Sequence, residues 1–396
     1  MAIVLAIDFY AFQSIKTLNK NKIVHILYWL LSFAVLINFV YWLSTINRSN
    51  RLSHSLMLAF GLLVLSITPK VLALLILFSE DVFRMIKTGM NYFSNTTNSV
   101  FFPDRREFIS KIALGVAAVP FTSVLYGMIR GKYNFQVINH SLYFKDLPDA
   151  FNGFKLTHIS DIHSGSFDNP DKISYGIELI NEQESDVILF TGDIVNNTAD
   201  EMDEWIPYFE KLKAKYGKYS VLGNHDYGEY VRWKTPEEKA QNFQAIKDIH
   251  PKIGFNLLLN ESVYLEKNSQ KIALVGIENW GTRFKKAGNL TLASSKIKKE
   301  DFKILLSHDP SHWESEVKER DYNYHLTLSG HTHGMQFGIE IPGIKWSPVQ
   351  YLYKQWAGIY KEFGRYINVN RGFGFIGFPG RVGIWPEITV ITLKKR

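Results

Sequence analysis

The stretch LSGHTHG, residues 328–334, places two imidazoles one residue apart between glycines, directly after the alternating apolar run YHLTL. Histidines that close together at the end of a predicted strand are suited to hold a metal ion. Any further ligands must then come from elsewhere in the chain. There is no cysteine, so thiolate ligation is excluded, and His, Asp, Glu or Asn would have to serve. Such donors suit hard or borderline divalent ions. Working outward from this stretch, β-rich runs predict strands at 154–160, 186–192, 218–223, 271–277, 302–308 and 324–330. Five of them stop at a residue able to bind metal. FKLTHIS runs into Asp161-Ile162-His163, DVILF into Gly192-Asp193, KYSVL into Gly223-Asn224-His225-Asp226, FKILLS into His308-Asp309, and YHLTLS into His331 and His333. Between the strands, Ile173, Ile177 and Ile180, then Trp205, Phe209, Leu212 and Tyr216, recur at spacings of three and four and predict helices. Strand and helix alternation of this kind implies an α/β domain with ligand groups at the C-terminal ends of strands.

The 396 residues hold 45 Lys+Arg against 38 Asp+Glu. Residues 1–131 contain 12 basic and 5 acidic residues, and therefore the whole +7, while 132–396 contain 33 of each. The excess sits beside apolar runs, which argues against nucleic acid as the partner and for a lipid bilayer. Residues 23–46 carry no formal charge and exceed the roughly 20 residues a helix needs to cross a bilayer. Residues 55–79 read the same way if Pro69 and Lys70 face another helix. An uncharged segment at 112–129 and a shorter one at 1–15, interrupted by Asp8, complete about four spans in a membrane domain of residues 1–131, ahead of a second domain at 132–396. Lys16, Lys20, Lys22, Arg84, Lys87, Arg105 and Arg106 would then lie on the cytoplasmic side and only Arg48 and Arg51 outside. That distribution follows the positive-inside tendency and places the second domain outside the cytoplasm. DRREFISKIALGVAAVP, with Arg105 and Arg106 before an apolar run, resembles a twin-arginine export signal placed internally; an ordinary basic flank predicts the same topology.

Taken together, D-x-H, G-D, G-N-H-D, H and G-H-x-H over residues 154–334 resemble the calcineurin-like metallophosphoesterase family, in its membrane-anchored bacterial type. The tail RYINVNRGFGFIGFPGRVGIWPEITVITL, with Arg381, Pro386 and Glu387, resembles the closing strands of those members. The resemblance implies N-terminal transmembrane helices followed by a two-sheet α/β/β/α sandwich, with two divalent metal ions (Mn, Fe, Zn or Mg) at the strand tips. It implies that Asp161, His163 and His333 bind the first metal, that Asp193 bridges, and that Asn224, His308 and His331 bind the second. His225 would protonate the leaving oxygen, with Asp226 orienting its ring, while hydroxide held between the ions attacks phosphorus. The function implied is hydrolysis of a phosphate ester or pyrophosphate, lipid-linked because the site is tethered at a bilayer, in a bacterial cytoplasmic membrane. Two alternatives stay open. One is a cytoplasmic-facing UDP-2,3-diacylglucosamine-type pyrophosphatase, although those relatives often carry arginine where this chain has His225. The other is a non-catalytic sensor on the same fold, which would be expected to lack ligands. Met335, where some relatives carry glycine, would alter the pocket floor. Residues 342–366 interleave aromatic and basic side chains, suited either to lipid headgroups or to ordinary packing. Oligomeric state stays open.

Overall fold

The computed structural model describes residues 2–49, 53–93 and 103–396. Contacts divide the chain into two compact units, Met1–Ile129 and Arg130–Arg396. The first is helical: α1 (Ala2–Leu18), α2 (Lys22–Ser49), α3 (His54–Phe93) and α4 (Pro103–Ile129). Segments Lys22–Thr45, His54–Phe93 and Asp104–Ile129 are long and apolar enough to cross a membrane; α1, at 17 residues, is shorter. Small residues let α3 and α4 approach closely, with Ala73 and Leu77 buried against Ala113 and Ala117. Lys70 meets the condition set for a lysine in an apolar segment. Its ammonium donates to Asp8 at 2.5 Å and to the hydroxyls of Ser32 and Ser66 at 2.8 Å each, which ties α1, α2 and α3 together. Further along, Arg106 bonds to Glu80 and Asp81 at 3.0 Å each, and Arg84 pairs with the same two carboxylates. Arg51 lies outside the described residues.

The second unit is built on two six-stranded sheets. In chain order the strands are β1 (Gln136–Phe144), β2 (Lys155–Ile159), β3 (Val187–Phe190), β4 (Lys218–Ser220), β5 (Asn256–Leu257), β6 (Glu261–Lys267), β7 (Gln270–Gly276), β8 (Lys303–Leu306), β9 (Leu326–Ser329), β10 (Ile339–Ile341), β11 (Ile344–Trp346), β12 (Gly358–Glu362), β13 (Arg365–Val369) and β14 (Glu387–Lys395). One sheet runs β1-β14-β2-β3-β4-β5, the other β12-β13-β9-β8-β7-β6, and β10-β11 form a separate ribbon. All six strands predicted from sequence are present. Their side chains alternate between two apolar environments. Leu274, Ile304, Leu306, Leu326 and Leu328 meet Leu156, Val187, Leu189 and Ile391 of the facing sheet, whereas Ala273, Val275 and Leu305 point outward onto Leu290, Ala293 and Trp313. A strand covered on both faces reads as an unbroken apolar run rather than as alternation, which is how β3, β7 and β8 read.

β2, β3 and β4 are mutually parallel, as are β7, β8 and β9, so the C-terminal ends within each set share one edge. Helix α5 (Pro170–Asn181) buries Ile173, Ile177 and Ile180 as their spacing predicts. The second predicted helix is corrected: it spans only Ile206–Phe209. Leu212 is buried all the same. Asn181 accepts from the Lys213 amide and donates to the Lys211 carbonyl, each at 3.0 Å, so a side chain takes over where helical bonds would have continued.

Candidate metal centre

The two sheets deliver their strand ends to one place. β2, β3 and β4 of the first sheet lead into Asp161 and His163, Asp193, and Asn224 and His225; β8 and β9 of the second lead into His308 and the pair His331 and His333. Five of these residues leave their strands in the left-handed region: Asp161 (φ 52°), His163 (φ 48°), Asp193 (φ 59°), His331 (φ 71°) and His333 (φ 49°). That conformation is disfavoured for residues with a Cβ and clusters at functional sites. Close approach explains the adjoining glycines. A Cβ on Gly330 would run into Ser160 and the Asp161 carboxylate, and one on Gly223 into the Asp193 carboxylate.

The structure brings all seven predicted ligand residues together. Asp161, His163 and His333 form one group able to hold an ion, and Asp193, His308 and His331 another. His333 Nε2 lies 3.2 Å from Asp161 Oδ1. A single atom, Asp193 Oδ2, lies 3.6 Å from His163 Nε2 and 3.1 Å from His308 Nε2. His331 Nδ1 stands 2.7 Å from Asn224 Oδ1 and 3.3 Å from His308 Nε2. The outer ring nitrogens are anchored as a ligating histidine requires. His308 Nδ1 donates to the Thr191 carbonyl at 2.7 Å, and His331 Nε2 bonds to the Tyr353 hydroxyl at 2.8 Å. Arg381, wholly buried, lies with a guanidinium nitrogen 3.1 Å from His333 Nδ1 and shares that nitrogen with the carbonyls of Arg371, Gly372 and Gly374.

The electrostatics are those of a site short of positive charge. Burial works against ionising Asp161, but the surrounding imidazoles, His333 foremost, hold its carboxyl well below the usual range. Burial opposes ionisation of Asp193 too, and His308 and His225 outweigh it, so this carboxyl is lowered as well. In return, although burial disfavours its charge, the Asp193 carboxylate pushes His308 up to about 10. Burial pushes His163, His331 and His333 down, so they present lone pairs rather than charge. His163 Nδ1 is buried without a hydrogen-bond partner, and His333 Nε2 has only its 3.2 Å approach to Asp161. Two carboxylates, four imidazoles and an amide oxygen, with a ring nitrogen left unused, fit hard or borderline divalent cations.

Two readings need correction. Asp226 does not orient His225. Its carboxylate accepts from the amides of Gly223 (2.8 Å), Asp193 (2.9 Å) and Ile194 (2.9 Å), joining the loops after β3 and β4; burial and the nearby Asp193 charge push it up to about 7. The His225 ring is held instead by the Asn196 carbonyl, 2.7 Å from Nδ1. Met335, expected at the pocket floor, has a half-exposed side chain. Gln336 turns inward, donating to the carbonyls of Phe378 and Gly380 and accepting from the Ile376 amide. Sequence reading missed Tyr230, whose hydroxyl accepts from Asn224 and whose ring lies 4.5 Å from His225; no pattern marks it. Tyr353 was noticed only as part of an aromatic stretch.

Fold and site define the class: a metal-dependent hydrolase whose site lies at the strand tips of a two-sheet α/β sandwich. The chain belongs to the calcineurin-like metallophosphoesterase family. Residues 154–335 match the model described as calcineurin-like phosphoesterase, and residues 1–132 the one described as probable calcineurin-like phosphoesterase, transmembrane domain. The chain is similar to the uncharacterized metallophosphoesterase YkuE of Bacillus subtilis (strain 168), 32% identical over 296 residues that cover 73% of this chain and 97% of that one. It is also similar to the transmembrane protein with metallophosphoesterase domain of Danio rerio, 26% identical with 71% and 62% covered. To phosphodiesterase YaeI of Escherichia coli (strain K12) it is 27% identical, with 65% and 88% covered. The chain is thus an enzyme of the phosphoric ester hydrolase class, with a membrane domain ahead of its catalytic part.

Proposed function

We propose that residues 132–396 form a dinuclear phosphoesterase, carried by a membrane domain of about four spans at 1–131, that hydrolyses a lipid-linked phosphate ester or pyrophosphate. The observation that carries the two-ion reading is Asp193 Oδ2, which faces His163 of one ligand group and His308 of the other. One carboxylate oxygen between two sets of lone pairs is what a pair of closely spaced cations requires. Asp161, His163 and His333 would hold the first ion, Asp193 both, and Asn224, His308 and His331 the second. When bound, such a pair supplies Lewis-acid activation of water and of phosphate oxygens.

The chain's own residues supply the rest. Because a carbonyl only accepts, the bond from His225 Nδ1 to Asn196 fixes the proton on Nδ1. Nε2 of this partly buried ring, once it too is protonated, can pass that proton to the leaving oxygen and return to the neutral Nδ1–H form, as general acid catalysis by imidazole requires. Asp226 keeps the loop carrying His225 and the loop carrying Asp193 in register. The similarity to a protein named phosphodiesterase favours a diester among possible substrates, and the membrane domain favours one presented at a lipid surface. The basic side chains at 16–22 and 84–106 support placing the catalytic domain outside a bacterial cytoplasmic membrane, with Arg105 and Arg106 as its basic flank.

Chelated, detergent-solubilised enzyme, reconstituted separately with Mn²⁺, Zn²⁺ and Mg²⁺, is assayed on bis-p-nitrophenyl phosphate and p-nitrophenyl phosphate while bound ions are counted. Metal-restored diester turnover with two ions per chain supports the reading; a single ion at full activity refutes it. Reporters fused after residue 131 test the orientation, and activity of one that works only in the cytoplasm would reverse it.

A further inference from the structure

The ribbon β10–β11 is exposed along nearly its whole length. Its cross-strand pairs Ile341–Ile344 and Ile339–Trp346 share one face, and Glu340–Lys345 the other. Where a strand covers a core, the apolar face turns inward. Here both faces are largely exposed, Trp346 being the most covered residue, and it is the polar side chains whose tips reach the body of the domain. Glu340 accepts from Arg371, a nearly buried residue, with Nε at 3.0 Å, and the Lys345 ammonium reaches the Ala357 carbonyl at 2.5 Å. Ile339, Ile341 and Ile344 are left 49%, 55% and 53% exposed, and Met335 and Leu352 are exposed to a similar degree. A contiguous apolar patch of this kind marks an interaction surface.

The root of the ribbon says what covers it. The Gly338 amide donates to the Val382 carbonyl at 2.9 Å, and Phe337 bridges to Val382. The same loop packs on Gly131, where a Cβ would run into the Arg381 carbonyl and the Trp385 ring. Gly131 stands two residues after Ile129, the end of α4. One short loop therefore contacts both the apolar ribbon and Gly131, near the start of the second unit. A bilayer so tethered is present at high effective concentration, which a second copy or a soluble partner is not. Trp346, on the apolar face, is a residue type enriched at membrane interfaces.

We propose that residues 338–346, with Met335 and Leu352, form an interfacial anchor that inserts its isoleucines into the surface of the bilayer holding residues 1–129. This goes beyond the phosphoesterase reading and depends only on the membrane assignment.

Because the chain has no cysteine, Ile341→Cys gives a unique site for a bimane label. Ser269→Cys serves as the reference: it lies in the β6–β7 turn, at the opposite end of β7 from the metal centre, and is exposed. Both full-length variants are reconstituted in nanodiscs of phosphatidylethanolamine and phosphatidylglycerol, with and without nitroxide-labelled lipid, after their thermal unfolding is checked against the parent. An inserted residue sits about 5–10 Å below the headgroup boundary, so nitroxide lipid should quench the label at 341 at least about twofold and leave 269 unchanged. Equal quenching at the two positions overturns the proposal. So does a label at 341 that is shielded from aqueous iodide but untouched by nitroxide lipid, which would assign the patch to a protein surface.

Discussion

Two buried charge clusters can be set side by side, one in each unit. In the helical unit, Lys70 has as many partners as it has donors: Asp8, Ser32 and Ser66. In the catalytic unit, Asp161 and Asp193 face imidazoles that burial keeps neutral, His308 excepted, and His163 Nδ1 has no hydrogen-bond partner. Both clusters put charge where water is scarce. The first is closed and holds helices together. The second gathers carboxylates and imidazole lone pairs from five loops into groups that could hold a cation, which the first does not.

The difference can be broken most severely at Asp193. Asp193→Ala should lower metal-restored turnover of bis-p-nitrophenyl phosphate by at least about 10³-fold and reduce bound metal, while chelated variant and chelated parent melt alike; metal content and calorimetry check this. The closed cluster should respond oppositely. Lys70→Met strands the Asp8 carboxylate and should cost about 3–5 kcal/mol of stability in detergent, much of it recovered in Asp8→Leu/Lys70→Met. Turnover of the soluble diester should stay unchanged in both. An intermediate case is His225→Ala, which should slow turnover about 10²-fold with metals retained, most for esters with poor leaving groups; inductively coupled plasma measurement of bound ions alongside kcat decides it.

The mildest effect concerns histidines that belong to neither cluster. Burial holds His158 at about 4 and His250 at about 3, against about 6.5 for an unperturbed imidazole. Below pH 6.5 the unfolded chain takes up protons that the folded chain refuses. Their contribution is therefore complete above pH 6.5 and is lost as pH falls toward these values, at about 1.4 kcal/mol per group per pH unit. Replacing His250, whose Nδ1 bonds to Ser220, with Gln should flatten the slope of catalytic-unit melting temperature between pH 6.5 and 4.

What could be read in advance follows from what each feature depends on. Strands β3, β7 and β8 announced themselves as nearly unbroken apolar runs, β2, β4 and β9 by shorter β-rich runs, and the candidate ligands because each follows such a strand. β1 was not anticipated: its pairing with β14, Gln136 opposite Glu387, joins residues about 250 positions apart, and QVINHSLYF alternates too weakly to stand out. The role of Asp226 was misread because its partners are backbone amides, which leave no trace in residue identity. Nor could the orientation of the β10–β11 ribbon be foreseen. IEI and IKW alternate like any half-buried strand, and only Arg371, reaching Glu340 from a distant position, decides which side chains reach the body of the domain.

The left-handed backbone at Asp161, His163, Asp193, His331 and His333 has a consequence for the life of the chain in a cell. Each such residue costs roughly 1–2 kcal/mol, so together they are comparable with the 5–15 kcal/mol by which a typical domain is stable. An ion bound only by the folded chain would offset that cost by mass action, so chelated protein should be cut by proteases faster than metal-loaded protein, which limited proteolysis checks.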